Sequence, residues 1–211
     1  VATFCNNIAN EKPIEIHNPN KELQLVYVDD VVNSFISNLS SLSDGDGDYR
    51  NIEPVHNTTL GKLAEIIYSF RENRESLFLP DVSDQFTKKL YSTYLSYLDK
   101  SDFSYKLRKQ TDNRGSLTEL LKSHKLGQIF VSTTEPGITR GNHYHHTKTE
   151  KFIVISGEAE IRFRLVDPSL NVSETDDAVL SYIVSGEKPT VIDIPPGYTH
   201  NITNIGSTPL V

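Results

Sequence analysis

The stretch Gly137-Ile138-Thr139-Arg140-Gly141-Asn142-His143-Tyr144-His145-His146-Thr147-Lys148-Thr149-Glu150 decides how the second half of this chain is read. It is completed by Pro195-Pro196-Gly197-Tyr198-Thr199-His200, fifty residues on. His143 and His145 are two apart on a predicted strand, so both rings point to one face. Glu150 lies past a short polar turn and folds back beside them. His200 follows a tight turn and supplies a third imidazole. Three imidazoles and one carboxylate make a shell for a divalent ion. Zinc is the first choice, with Fe(II), Mn and Ni as the others. One or two coordination positions would stay open for water or a substrate oxygen. His146 falls on the opposite face and is left out. Histidines scattered on a sheet surface are the plainer explanation. Against it, His143, His145, His146 and His200 make up four of the seven histidines in the chain.

Outward from this stretch the texture is that of strands. Ala159, Ile161, Phe163 and Leu165 alternate with Glu160, Arg162 and Arg164, a period of two with one apolar face. Phe152-Ile153-Val154-Ile155 reads as a short buried strand, turned by Ser156-Gly157 into the next. Val179 to Val184 and Val191 to Ile194 read as two more. Short strands with Gly and Pro turns predict a sandwich or barrel from residue 112 onward.

Residues 1–111 mix helix and strand. Leu23, Leu25, Tyr27 and Val28 feed a helix with an acidic N-cap at Asp29 or Asp30. Residues 43–49 form a polar, acid-rich loop that lacks the downstream Glu of a calcium loop, so it is read as a solvated turn. Leu60, Leu63, Ile66, Ile67 and Phe70 are spaced for a helix capped by Thr59. A further helix is predicted over 83–98, through Phe86, Leu90, Tyr94 and Leu95 to Tyr97-Leu98. Tyr91, Tyr94, Tyr97 and Tyr105 are read as half-buried helix faces rather than a stacking platform.

Composition bounds the function. The 211 residues carry 21 basic and 28 acidic side chains, a net charge of −7, which argues against a nucleic-acid partner. No apolar run approaches the roughly 20 residues that span a bilayer, so no membrane helix is expected. Cys5 is the single cysteine, which excludes a disulfide framework and points to a reducing cytoplasm. The chain has no methionine and opens without a secretory pattern, and is read as an internal piece of a longer protein.

Three resemblances sharpen these readings. Gly137-x5-His143-x-His145-x4-Glu150-x6-Gly157 fits the first cupin motif. Pro195-x-Gly197-x2-His200-x3-Asn204 fits the second, with Pro189 in place of its leading glycine. Residues 112–211 therefore resemble a cupin, an all-β double-stranded barrel. Asp112-Asn113-Arg114-Gly115-Ser116-Leu117-Thr118-Glu119, with Arg140-Gly141-Asn142-His143, is similar to the cupin-type 4-keto-hexose 3,5-epimerases. That likeness implies Arg114 as a diphosphate clamp and His143 as either a proton-transfer base or a metal ligand. Leu25-Val26-Tyr27-Val28-Asp29-Asp30-Val31-Val32 resembles a late segment of the extended short-chain dehydrogenase/reductases. Residues 1–111 would then be the α+β, substrate-binding end of such a reductase. Its glycine-rich loop is not found here; Tyr144 and Lys148 have the Tyr-x-x-x-Lys spacing of its catalytic pair but sit inside the cupin motif.

A reductase end fused to a cupin resembles the bifunctional capsular polysaccharide epimerase/reductases of the CapF or WbjC type. The resemblance implies C3 epimerisation of a UDP-activated 4-keto-2-acetamido-6-deoxy sugar by the cupin, on the way to N-acetyl-L-fucosamine. NADPH reduction would belong to the reductase part that lies outside this sequence. On this reading the metal polarises the C4 ketone, Tyr198 serves one proton-transfer role and Lys148 or His146 the other. Arg162 and Arg164 are candidate diphosphate contacts, and a homodimer is expected. The alternatives are an Fe(II) cupin dioxygenase and a non-catalytic sugar-nucleotide-binding cupin. Without its reductase core the first half is expected to expose apolar faces.

Overall fold

The protein is described from a computed structural model covering residues 1–39, 51–166 and 179–211. The acidic loop expected at 43–49 lies outside the described residues. The chain divides into two compact units, one of Val1–Lys106 with Leu121–Gly127 and one of Leu107–Leu120 with Gln128–Val211.

In the first unit the order is α1 (Ala2–Ala9), β1 (Glu22–Leu25), α2 (Val28–Leu39), β2 (His56–Thr59), α3 (Leu60–Ser76) and α4 (Gln85–Leu95). A 3-10 turn, Lys100–Phe103, follows. Helical spacing puts Leu63, Ile67 and Phe70 on one face of α3, where they pack with Cys5, Ile8, Leu90 and Tyr94. Thr59 caps α3 as expected, its hydroxyl accepting the Lys62 N–H at 3.2 Å. Asp84 does the same for α4, accepting from the Thr87 N–H at 2.8 Å.

Three local readings are corrected. Asp29 and Asp30 are not N-caps. They sit in the first turn of α2, where the Tyr27 carbonyl already accepts the Asp30 and Val31 N–H groups. Their charge still favours that helix end, and Asp30 is held by Lys89 at 2.6 Å. The helix predicted through Leu98 stops at Leu95. Of the tyrosines, Tyr94 is fully in the core while Tyr105 is an exposed ring under Arg74.

The expected apolar surface is concentrated on α2. Val28, Val32, Phe35, Ile36 and Leu39 form one stripe, each roughly half to two-thirds exposed. Residues 121–127 also pack in this unit: the Lys122 N–H donates to the Leu77 carbonyl, the Leu79 N–H donates to the Lys122 carbonyl, and His124 stacks on Phe78.

The second unit carries β3 (Lys109–Asp112), β4 (Gly115–Ser123) up to Leu120, β5 (Gly127–Thr134) from Gln128, β6 (Thr139–His143), β7 (Glu150–Ile153), β8 (Glu158–Leu165), β9 (Leu180–Ser185), β10 (Val191–Ile194) and β11 (Tyr198–Asn204). They form sheets in the orders β3-β4-β5, β6-β11-β8-β9 and β10-β7. β8 alternates as its sequence predicts, with Ala159, Ile161 and Phe163 buried. These side chains meet Val154 beyond β7, and Ile192 and Ile194 from β10, so the four-stranded and two-stranded sheets share one core. The stretch 152–155 is only half buried: Val154 is inside, while Ile153 and Ile155 face out. Asn204 is fully buried and ties the end of β11 down, its amide donating to the Thr134 and Thr208 carbonyls and its oxygen accepting the Gly206 N–H.

Candidate metal centre

The site is built where β6, β7 and β11 converge. β6 and β11 run antiparallel with His143 opposite His200, and the pairing slips between His200 and Asn201. The slip is a bulge in β6. Gly141 pairs with Asn201 at φ 104°, and Asn142 is the extra residue at φ 61°. Asn142 is steadied there by the Asn201 amide, which donates to its side-chain oxygen at 2.8 Å. A Cβ on Gly141 would lie 2.8 Å from the His200 carbonyl oxygen, so only glycine permits this approach.

β6 ends at His143, so His145 lies just past the strand rather than on it. The two rings still converge, with centroids 5.0 Å apart, and His143 lies 4.7 Å from His200. Tyr144 and His146 pair with each other instead, 5.1 Å apart. Glu150 opens β7, and its Oε2 lies 3.2 Å from Nε2 of both His145 and His200. One donor atom from each of His143, His145, Glu150 and His200 falls within 4.8 Å of the others.

The chemistry of these atoms fits a cation. His145 Nε2, His200 Nε2 and Glu150 Oε2 are buried and none has a hydrogen-bond partner. Three buried polar atoms that share one space and bond to nothing are costly unless something satisfies them. His200 is 1% exposed, and its Nδ1–H donates to the Tyr198 carbonyl at 3.2 Å, which turns the Nε2 lone pair inward. Burial first, then the neighbouring His143 and His145, holds the His200 imidazole below its ordinary value and so neutral. Burial alone would raise Glu150, but the Lys148 hydrogen bond and charge, with His145 and His200, outweigh it and keep the carboxyl below its usual range. Phe152 and Phe163 stand 5.9 and 6.4 Å from the His200 ring and form an apolar wall behind it.

The architecture recurs in known proteins. Residues 110–211 match the family described as the polysaccharide biosynthesis C-terminal domain. A crystal structure of the capsular polysaccharide assembling protein CapF from Staphylococcus aureus is 44% identical and superposes with a TM-score of 0.87 over 99% of this chain. The chain belongs to the polysaccharide biosynthesis proteins and is similar to CapF along its length. A UDP-2-acetamido-2,6-beta-L-arabino-hexul-4-ose reductase from Pseudomonas aeruginosa is 42% identical along the whole chain. The spore coat polysaccharide biosynthesis protein SpsL of Bacillus subtilis is 30% identical over 111 residues, half of this chain and 71% of that protein. The chain spans 54% of the Pseudomonas reductase and 58% of the Staphylococcus CapF. Its fold is that of the CapF relatives, an α+β segment followed by a cupin-like β unit. Among the described residues, no helix is long and apolar enough to cross a membrane.

The remaining expected residues fall in different places. Tyr198 lies two residues before His200 on β11 and packs on the barrel core, so its ring shares the inner face with that histidine. Lys148 is tied to the site, its Nζ donating to Glu150 Oε1 at 2.6 Å. Arg162 and Arg164 alternate with the buried Phe163 and therefore point away from the face that carries His200. Arg162 is engaged there by Glu160 at 2.7 Å. Arg114 grips Asp112 at 2.6 Å, and this ion pair raises the one and lowers the other. Gly141, Asn142, Phe152 and Phe163 were not read as part of the site. The Gly-Asn dipeptide inside a predicted strand was the available signal for a bulge.

Proposed function

We propose that the β unit is a metal-assisted sugar-nucleotide epimerase acting at C3 of a UDP-4-keto-2-acetamido-6-deoxy sugar. The observation that carries this is the convergence of His143, His145, Glu150 and His200 with three buried donor atoms left unpaired. The substrate of the Pseudomonas reductase supports the substrate class, because a hexul-4-ose has a ketone at C4. A proton at C3 is then alpha to a carbonyl, and its removal leaves an enolate whose charge needs a prepared partner. A divalent ion held by the four ligands, zinc first, would supply Lewis-acid polarisation of the ketone oxygen.

The residues divide the rest of the work. Tyr198, on the inner face beside His200, offers a phenol that can hold or return a proton at C3. His143 is the most exposed of the four ligand candidates, so it remains either ligand or base. Phe152 and Phe163 keep water from the back of the site. Arg114 is the candidate for the diphosphate. In the longer protein, reduction of the C4 ketone by NADPH would follow on a separate reductase core, and the β units would pair as a homodimer.

The test is C3 proton exchange. The chain is incubated in deuterated water with the UDP-4-keto-acetamido sugar, and the C3 signal is followed by NMR with and without chelator. Deuterium uptake abolished by chelation is expected. Ligand binding without uptake would leave a non-catalytic binding module.

A further inference from the structure

We infer that Lys148 is a positioning residue for the metal centre: it occupies one carboxylate oxygen of Glu150 and thereby presents the other as a single-oxygen ligand. This rests on the metal-centre reading above and goes beyond its four ligands. The two oxygens of Glu150 have different neighbours. Oε1 accepts from Lys148 Nζ at 2.6 Å. Oε2 faces inward, 3.2 Å from Nε2 of both His145 and His200. A carboxylate free to rotate could offer both oxygens to a cation, and zinc or a similar ion would then gain a ligand and lose an open position. Lys148 prevents this by holding Oε1 outward.

The alternative role for a lysine here is that of a stand-in cation, occupying the space a metal would take. The geometry opposes it. An ammonium in that space would donate to the imidazole nitrogens, yet His145 Nε2 and His200 Nε2 have no partner. Lys148 instead approaches from the outside: its side chain is 49% exposed while that of Glu150 is 14% exposed. The amine is therefore spoken for by the carboxylate, and its role is exerted through Glu150 rather than on a substrate. The partners of ligands commonly set metal affinity in this way, with losses of roughly 10–100-fold on removal.

The experiment compares the wild-type 211-residue chain with Lys148→Gln and Lys148→Arg, using cobalt(II) as the probe. Two quantities are read: the visible absorption of the bound cobalt, which weakens as coordination number rises, and its affinity against a competing chelator. Lys148→Gln is expected to lower the absorption several-fold and weaken binding by roughly 10-fold or more. Lys148→Arg, which can still hold Oε1, is expected to restore both. The side chain is half in solvent, so the metal-free variants should unfold at the wild-type midpoint, and that midpoint is measured alongside. Identical absorption and affinity in wild type and Lys148→Gln would overturn the inference. Tighter cobalt binding by Lys148→Gln would also overturn it, since that marks a competitor. A wild-type chain that takes up no cobalt would defeat the metal centre itself, and this inference with it.

Discussion

Replacing Gly141 with alanine tests whether backbone geometry, and not ligand identity alone, assembles the site. The residue sits at φ 104°, and an added Cβ would lie 2.8 Å from the His200 carbonyl oxygen and 2.9 Å from Asn201 Cα. Both are backbone atoms of the paired strand, so neither can move like the end of a flexible side chain. Holding a non-glycine residue on the positive-φ side costs about 1–3 kcal/mol. Prising two packed strands apart adds about 1–3 kcal/mol. The sum is about 2–6 kcal/mol. For a unit of roughly 100 residues each kcal/mol moves the midpoint by roughly 4–8 °C, so a fall of at least about 8 °C is expected. The strands that must separate carry His143 and His200, so metal affinity should fall as well. Gly137→Ala is the matched control, because that glycine has φ 73° and nothing within 4 Å of an added Cβ. It should show the backbone cost only and keep its metal. The assays are thermal unfolding in chelator and cobalt competition. A Gly141→Ala chain with the midpoint of Gly137→Ala and wild-type metal affinity would refute the reasoning.

Other predictions follow from the same geometry. Adding chelator should lower the thermal midpoint of the wild-type chain loaded with zinc, and His200→Ala should remove that difference, read by calorimetry with and without the ion. Thr59→Ala should destabilise the first unit by about 1 kcal/mol through loss of the α3 cap, while Thr59→Ser should not, by denaturant unfolding. The Lys125 ammonium, then the Ser83 hydroxyl, pull the Asp81 carboxyl down from 3.8 to about 2. Its stabilising contribution is thus complete above 3.8 and is lost as pH falls through about 2. Carboxyl-carbon NMR should find Asp81 titrating near the lower value, and in Lys125→Ala nearer the ordinary one; because the pair is solvent-exposed, titration and not stability is the readout.

Much of the fold was legible because it depends on periodicity. The alternation from Ala159 to Leu165 gave β8 and its buried face, and the spacing from Leu60 to Phe70 gave α3 with its Thr59 cap. Periodicity fails at ends and edges. Phe152-Ile153-Val154-Ile155 is apolar throughout, which reads as buried on both faces. Yet among the described residues β7 pairs only with β10, and Ile153 and Ile155 are left on the outside. Asp29 and Asp30 looked like caps because carboxylates suit a helix start, but the Tyr27 carbonyl begins the helix two residues earlier and the acids act through charge alone. Neither outcome is a property of a short window: one depends on how many strands a sheet has, the other on where the preceding strand releases the chain.

The four ligand candidates were legible for a different reason. A metal shell needs particular donor atoms, and few residue types supply them, so His143, His145, Glu150 and His200 stand out by chemistry before any fold is known. Arginines carry no such restriction. Arg162 and Arg164 have the charge to grip a diphosphate, but strand parity puts them on the face opposite His200 once Phe163 is buried. That parity was already present in the alternation of β8; what the sequence lacked was which face of β11 its pairing would place beside it. The register His200 to Phe163 settles the side and joins the two halves of the site. It also explains why a bulge, and not a ligand, is the part most easily missed. Gly141 and Asn142 donate nothing to a cation, yet without their positive φ angles His143 would not stand opposite His200.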